Sequence, residues 1–426
     1  MGDVVNAYIG GFLVPGMLPM EQLGAVRPLL GFVGIAGIPI GFLAMVTLKY
    51  LNVFAERGEA GCAKGLLRDA LVAAVAFAGI VGVAVWWLKP GLMERLKIDD
   101  SQILLWFVVL VLLGGVAGIV SSAVRALKLY NYIVFGALPS PFFRWVAMWV
   151  FLPLWGVRGY LAAQSVMTVA GFSVAAVAVW RYFYRDGDGD VAATMYRRYW
   201  GEMGRYAAPL LLSMSAGAMV IPMEDFIIRH RLATDVSAAV YVLKTFVEIP
   251  TYMVGPIIVF LFPMVSSKFE QGESTRKLLF QSMGMTLLLS LGCAAALQVV
   301  APWLFGLQDS WRVGLPYAGI ISVVGLSTAC RLTVDCFVVH EQACRRFRYL
   351  RFYIPIILLQ TLGLYGLMGW GFFEPYLPQC LWQAVEAWPV RTLPFVLWWS
   401  AAWQGLLLLC VVFSLTKGRE LPRLRH

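Results

Sequence analysis

About twelve long apolar stretches follow one another along this chain, and Lys and Arg crowd into every second gap between them. A run of about 20 apolar residues, rising 1.5 Å each, crosses the hydrocarbon core, and cytoplasmic loops collect positive charge. The expected fold is therefore an all-α polytopic membrane protein. Composition agrees: 60% of residues are hydrophobic and only 14% are charged, against about 25% charged in a soluble domain.

The expected spans in the first half are Val4–Leu18, Leu29–Leu48, Leu67–Leu88, Ile103–Ala123, Tyr132–Leu154 and Tyr160–Trp180. The second half has Tyr206–Ile228, Ala238–Val265, Leu278–Leu304, Val313–Val334, Tyr353–Phe373 and Leu393–Leu415. No basic region or small-residue cleavage site opens the chain, so no cleaved leader is expected. The first stretch is short and headed by Asp3, which fits either a truncated first helix or a short tilted one. The resulting organisation is a six-helix lobe over 1–180, a cytoplasmic linker over 181–205, a second lobe over 206–416 and a cytoplasmic tail over 417–426.

The net charge of +10 does not indicate nucleic acid, because the basic residues are spread over alternate loops rather than clustered in a patch. The rich set runs through Lys49, Arg57, Lys64 and Arg68, then Arg125 and Lys128, then Arg181 to Arg205. It continues with Lys268, Arg276 and Lys277, the group Arg345, Arg346, Arg348 and Arg351, and Arg423 and Arg425 in the tail. These loops face the cytoplasm beside anionic membrane lipid.

Two features separate the halves and relate them. The linker carries Asp186-Gly187-Asp188-Gly189-Asp190, which lacks the closing Glu of a calcium loop and reads as flexible chain. On either side of it, Ala36-Gly37-Ile38-Pro39 then Glu56-Arg57-Gly58-Glu59 then Lys64-Gly65-Leu66-Leu67 is echoed in order. The echo is Val247-Glu248-Ile249-Pro250, Glu270-Gln271-Gly272-Glu273 and Arg276-Lys277-Leu278-Leu279, at an offset near 211–214 residues. A second echo relates Arg125 and Tyr132-Ile133 to Arg346 and Tyr353-Ile354. Two equivalent halves imply a site at their interface near the membrane midplane. Proline inside or near span ends, at Pro39, Pro139, Pro141, Pro153, Pro222, Pro250, Pro256 and Pro263, marks either packing kinks or hinges.

Charges within spans are the candidate functional residues, since each costs roughly 2.5–3.5 kcal/mol at the helix centre and must face protein or water. They are Arg144, the adjacent Glu224 and Asp225, Lys244 with Glu248, and Arg331 with Asp335. Arg144 has no acid within a helical turn, so it meets either a cargo phosphate, for which its planar fork is suited, or a remote partner such as Glu224 or Asp225. Lys244–Glu248 and Arg331–Asp335 have the i, i+4 spacing of pairs along one helix. Adjacent Glu224 and Asp225 point to different sides, so one of them is a candidate proton-exchanging carboxylate.

Chemistry is not expected. The seven Cys and three His form no metal spacing, and no nucleophile motif or phosphate-binding loop is present, so neither a catalytic residue, a metal nor a cofactor is assigned. The Trp-, Tyr- and Pro-rich stretch Phe372–Arg391 is placed at the outer interface.

Several short motifs resemble the multidrug/oligosaccharidyl-lipid/polysaccharide exporter superfamily, in its bacterial polysaccharide flippase branch. They are Ala238-Ala239-Val240-Tyr241, Pro250, Leu261-Phe262-Pro263-Met264-Val265-Ser266, Lys268 through Gly272-Glu273, and Leu23-Gly24-Ala25-Val26 as the loop after the first helix. The resemblance implies a two-lobed, alternating-access transporter in the bacterial inner membrane. Its cargo would be an undecaprenyl-diphosphate-linked oligosaccharide, driven by the membrane potential or by a coupling proton or cation, beside a polysaccharide polymerase complex. Arg144, Arg331 and Lys244 would then contact the anionic cargo, and Glu224, Asp225, Glu248 or Asp335 would couple it. Two other readings stay open: a drug or organic-cation antiporter on the same fold, and a non-transporting scaffold of a polysaccharide assembly complex.

Overall fold

The structure is a computed structural model that describes residues 6, 8–129, 131–132, 135, 139–184, 195–344, 346–368 and 393–417. It is an all-α polytopic fold with roughly twelve membrane-spanning helices. After a π-helical turn at Ile9–Leu13 come α1 (Val14–Met17), α2 (Met20–Glu56), α3 (Ala60–Leu96), α4 (Gln102–Ala126), α5 (Pro139–Trp155) and α6 (Val157–Tyr184). Then follow α7 (Trp200–Arg231), α8 (Thr234–Val247), α9 (Ile249–Glu270), α10 (Arg276–Gly306), α11 (Ile321–Ala343), α12 (Leu350–Met368) and α13 (Leu393–Lys417).

The apolar runs fall on these helices, with three differences. Leu23-Gly24-Ala25-Val26 is not a loop but the opening turns of α2. Pro19 ends the preceding extended segment and Glu21 sits in the first turn, so the helix starts earlier than the apolar run. At 37 residues, α2 and α3 are each about 55 Å long and outreach a core of about 30 Å. The eighth span is two helices, α8 and α9, interrupted at Glu248; Pro250 has no N–H to offer the carbonyl of Phe246. The tenth span opens as a 3-10 helix, Asp309–Ile320, before α11. The linker run Asp186–Asp190, the whole of Phe372–Arg391 and residues 418–426 lie outside the described residues.

Packing divides the chain into Met1–Ala238 and Ala239–His426. In the first unit, α2 packs on α3 and α4, α3 on α4, α4 on α6, and α5 on α6. In the second, α9 packs on α10 and α11, α10 on α11, α11 on α13, and α12 on α13. The two lists match helix for helix in chain order. The seventh span, α7, clusters with the first unit through α2: Pro222 sits against Gly31, and the Phe226 ring meets Phe32 edge-on at 5.1 Å.

The echoed polar motif proves to be one structural device used twice. At the end of α2, Gly58 has φ 71, and the Glu59 N–H reaches back to the Phe54 carbonyl at 2.9 Å. At the end of α9, Gly272 has φ 74, and the Glu273 N–H reaches the Lys268 carbonyl at 2.9 Å. Both are left-handed helix stops in which the long-range bond satisfies a terminal carbonyl. The second echo is also a pair of helix stops, but in another register. The Leu129 N–H bonds the Val124 carbonyl and the Arg346 N–H bonds the Glu341 carbonyl, so Leu129, rather than Arg125, corresponds to Arg346.

The outward surface is that of a protein solvated by lipid. On α3, Val72, Val83 and Trp86 are largely exposed and Trp87 is 81% exposed; on α10, Leu288, Val299 and Trp303 are exposed in the same way. A soluble domain does not present such continuous apolar faces. Trp87 and Trp303 lie near the far ends of matching helices, where indole rings favour the headgroup level.

Candidate functional site

In α5, Pro141, Arg144, Met148 and Leu152 form one buried stripe at helical spacing, while Phe142, Phe143 and Trp149 face outward. Arg144 is thus set in the middle of an apolar seam and is only 8% exposed. The tight turn at Gly156, with φ 54, folds α6 back so that Tyr160 lies beside it. Arg144 donates from one terminal nitrogen to Asn6 Oδ1 at 2.8 Å and from the other to the Tyr160 hydroxyl at 3.2 Å. Its guanidinium also lies over the Tyr160 ring, 5.7 Å from the centroid. The pairing with Glu224 or Asp225 that the sequence left open is not what holds Arg144. Among the described residues its hydrogen-bond partners are neutral, and its buried Nε has none.

The matching helices of the second unit hold a polar cluster that charge-based reading of the sequence missed. Gln360 of α12 donates to Ser400 Oγ at 3.3 Å and accepts from Gln404 Nε2 at 3.0 Å. Its backbone carbonyl accepts from Trp399 Nε1 at 3.0 Å. Gln360, Ser400 and Gln404 are all buried. The available signal was an uncharged one: Ser400 and Gln404 stand i, i+4 in an otherwise apolar run.

Arg331 and Asp335 lie one turn apart within α11, both half-buried. The two do not close into a hydrogen-bonded ion pair, a correction to the pairing that their spacing suggested. Glu224 and Asp225 are both buried, at 6% and 4% exposure, and both are partnered, so neither stands alone on an open face. Lys244 is nearly buried in α8, amid a run from Ala238 to Leu243 that is enclosed on all sides. Glu248 occupies the break between α8 and α9, where its N–H still bonds the Lys244 carbonyl at 3.0 Å. The two are partnered charges at a proline-weakened joint.

Arg229 was placed in a loop by the expected end of the seventh span, yet it is 1% exposed and ties three segments together. Nε donates to the Leu96 carbonyl at 3.1 Å, and one terminal nitrogen donates to Glu21 O at 3.0 Å and Lys97 O at 3.3 Å. It thereby caps the end of α3 against the start of α2. A side chain at Gly24 would press within 3.0 Å of this guanidinium, which explains the small residue there. Lys97 completes the knot by donating to the Leu232 carbonyl at 3.0 Å; burial, and then the neighbouring Arg229, hold its ammonium below the usual lysine range. In the second unit, buried His340 meets Thr275 Oγ1 at 2.9 Å and Glu341 Oε1 at 3.2 Å, a further polar contact that the sequence did not reveal.

No protein-family model matches the chain, and no curated relative does. Among solved structures it is similar to the inward-facing conformation of a multidrug resistance MATE family transporter of the MOP superfamily. The TM-score is 0.71 at 12% identity, over 98% of this chain and 95% of that one. The outward-facing conformation of such a transporter matches with a TM-score of 0.60 at 13% identity, over 97% and 93% of the two chains. A MOP superfamily transporter from Pyrococcus furiosus, described as having a binding pocket of reverse polarity that suggests a different function, matches at 0.60 and 13%, over 97% and 92%. The chain therefore has the fold of MATE-type transporters from end to end.

Proposed function

We propose that this protein is an alternating-access transporter that moves a lipid-linked anionic cargo, an undecaprenyl-diphosphate-linked oligosaccharide, across a bacterial inner membrane. The fold supports the transport part, since similar structures are described in both inward-facing and outward-facing conformations. The observation that carries the cargo is Arg144. A buried guanidinium in an apolar helix, held among the described residues by neutral Asn6 and Tyr160 and with Nε left without a hydrogen-bond partner, has no carboxylate beside it and suits an anion. Arg331 and Lys244 would be further cargo contacts. Coupling would fall to Glu224, Asp225, Asp335 or Glu248, the last standing where its helix is interrupted. Transport requires no catalytic residue.

The test is uptake of fluorescent lipid-linked oligosaccharide into the protected leaflet of proteoliposomes. Arg144→Glu should abolish it, while Arg144→Lys keeps a fraction. A second reading, a drug or organic-cation antiporter, draws on the multidrug transporters of the same fold and on the buried acids Glu224 and Asp225. Under it, the lipid-linked sugar would not move, cation efflux would, and Glu224→Gln would be the more damaging change.

A further inference from the structure

Where α12 begins beside the last turns of α13, the second unit has a groove of about 720 Å³. Arg348 and Arg351 form its polar end, and Phe352, Leu409, Val412 and Phe413 form its apolar wall. We propose that this groove is a binding site for an anionic phospholipid of the cytoplasmic leaflet, with the phosphate between the two arginines and an acyl chain along the wall.

Charge supports this first. Both arginines are exposed, and among the described residues neither guanidinium has a carboxylate or any other side-chain partner, so their charge is free for a ligand. Nearby guanidinium groups are already engaged. Arg346 covers the Phe269 ring at 5.7 Å, and Arg276 donates to the Leu415 carbonyl at 3.3 Å, one residue beyond the groove's Ser414. Arg351 also lies in the first turn of α12, at the positive end of the helix dipole.

The apolar wall then selects a lipid over a soluble anion. Leu409 and Phe413 are 67% and 58% exposed, and the wall continues into Leu358, Leu359 and Leu362 on the outward face of α12. A phosphate bound here would therefore have its tails over a surface already suited to acyl chains. The loop belongs to the arginine-rich set, which orients this end toward the cytoplasmic leaflet, where anionic lipid is concentrated. The site lies on the loop and flank of α12 and α13, includes neither Arg144 nor Arg331 in its lining, and does not depend on what the protein carries.

Native mass spectrometry of the purified full chain, titrated with phosphatidylglycerol or phosphatidylcholine, tests it. Wild type should retain phosphatidylglycerol in preference, and the double variant Arg348→Gln/Arg351→Gln should retain it about thirtyfold less, at roughly 1 kcal/mol per basic residue. Val412→Asp, which leaves both arginines in place but charges the wall, should weaken retention as well. Helix content and elution volume report whether each variant is folded. Equal retention of the two lipids by wild type, or undiminished retention in the folded double variant, overturns the proposal. So does full displacement by millimolar inorganic phosphate, which would make the site one for a free anion.

Discussion

The two units repeat one packing scheme and one pair of helix stops, yet they place their charges differently. In the first, the α5–α6 pair holds Arg144 against Tyr160; in the second, the matching α12–α13 pair holds Gln360 against Ser400 and Gln404. Carried forward from the matched turns at Leu129 and Arg346, Arg144 falls within a residue of Gln360. The same count sets Arg331 and Asp335 of α11 against Gly114 and Gly118 of α4. A duplicated scaffold with a cation on one helix pair and a neutral amide on its twin separates what the fold requires from what function adds. In the second unit a neutral amide fills that seam without a charge.

The largest effect is expected from breaking that difference. Arg144→Glu should reduce lipid-linked oligosaccharide uptake by more than about a hundredfold, since it removes a charge-assisted contact and adds repulsion. Arg144→Gln, which makes the first unit resemble the second, should fold normally and lose about tenfold or more. Uptake unchanged in Arg144→Gln would mean that the arginine only packs. Gln360→Arg is the reciprocal test: a site that uses one cation gains nothing from another, and burial of an unpaired charge should lower thermal stability in detergent.

The ends of matching helices offer a second contrast. The end of α3 is fixed by Arg229, through backbone carbonyls. Beyond α10 the work falls to aromatic packing: Trp311 is fully buried, its ring 5.1 Å from that of Phe246, which in turn meets Phe305 at 5.7 Å. Arg229→Met leaves buried acceptors unpaired, at about 1–3 kcal/mol each before relaxation, and should destabilise by about 3 kcal/mol. Trp311→Ala leaves a cavity and should lose about 3–5 kcal/mol. Unfolding in detergent followed by tryptophan fluorescence measures the first; helix content is the safer signal for the second. A loss under about 1 kcal/mol in either would show that the end is held by something else.

Arg331 and Asp335 have only glycine opposite them in the first unit, so their contribution is particular to the second. Arg331→Gln leaves Asp335 without its cation and should cost about 2 kcal/mol of stability, less than a fully buried pair would lose. The double variant Arg331→Gln/Asp335→Asn should recover most of it. If stability returns while transport stays lost, the pair serves the cargo or its coupling; if both return, it serves the helix.

The elements that sequence reading recovered, and those it missed, divide along the same physical line. Spans are legible because a membrane demands long apolar runs, and the repeated Glu-x-Gly-Glu because only glycine readily takes the left-handed stop at positions 58 and 272. The singularity of Arg144 is legible for the same reason, since a charge stands out against apolar neighbours. Its partners are not: Tyr160 becomes a neighbour only when α5 and α6 fold back at Gly156, and Asn6 comes from the N-terminal segment. Gln360 escaped notice because its polarity lies within the noise of an apolar run. Arg229 escaped because it falls one residue past the drawn span, where a loop arginine and a buried staple look alike.

The smallest effect tests the repeat itself. Gly58 and Gly272 have φ 71 and 74, open space where a Cβ would stand, and the same pair of hydrogen bonds. Alanine at either position therefore meets no neighbour and suffers only the left-handed backbone penalty, about 1 kcal/mol. The two losses should agree within about 0.5 kcal/mol, and the double variant should show their sum, because neither stop takes part in the other's hydrogen bonds. Asn, which tolerates this conformation better, should lose less than Ala at both. A marked inequality would mean that one stop has acquired a task the other lacks, such as a moving joint after the interrupted α8–α9 span, and the equivalence of the two units would end at that turn.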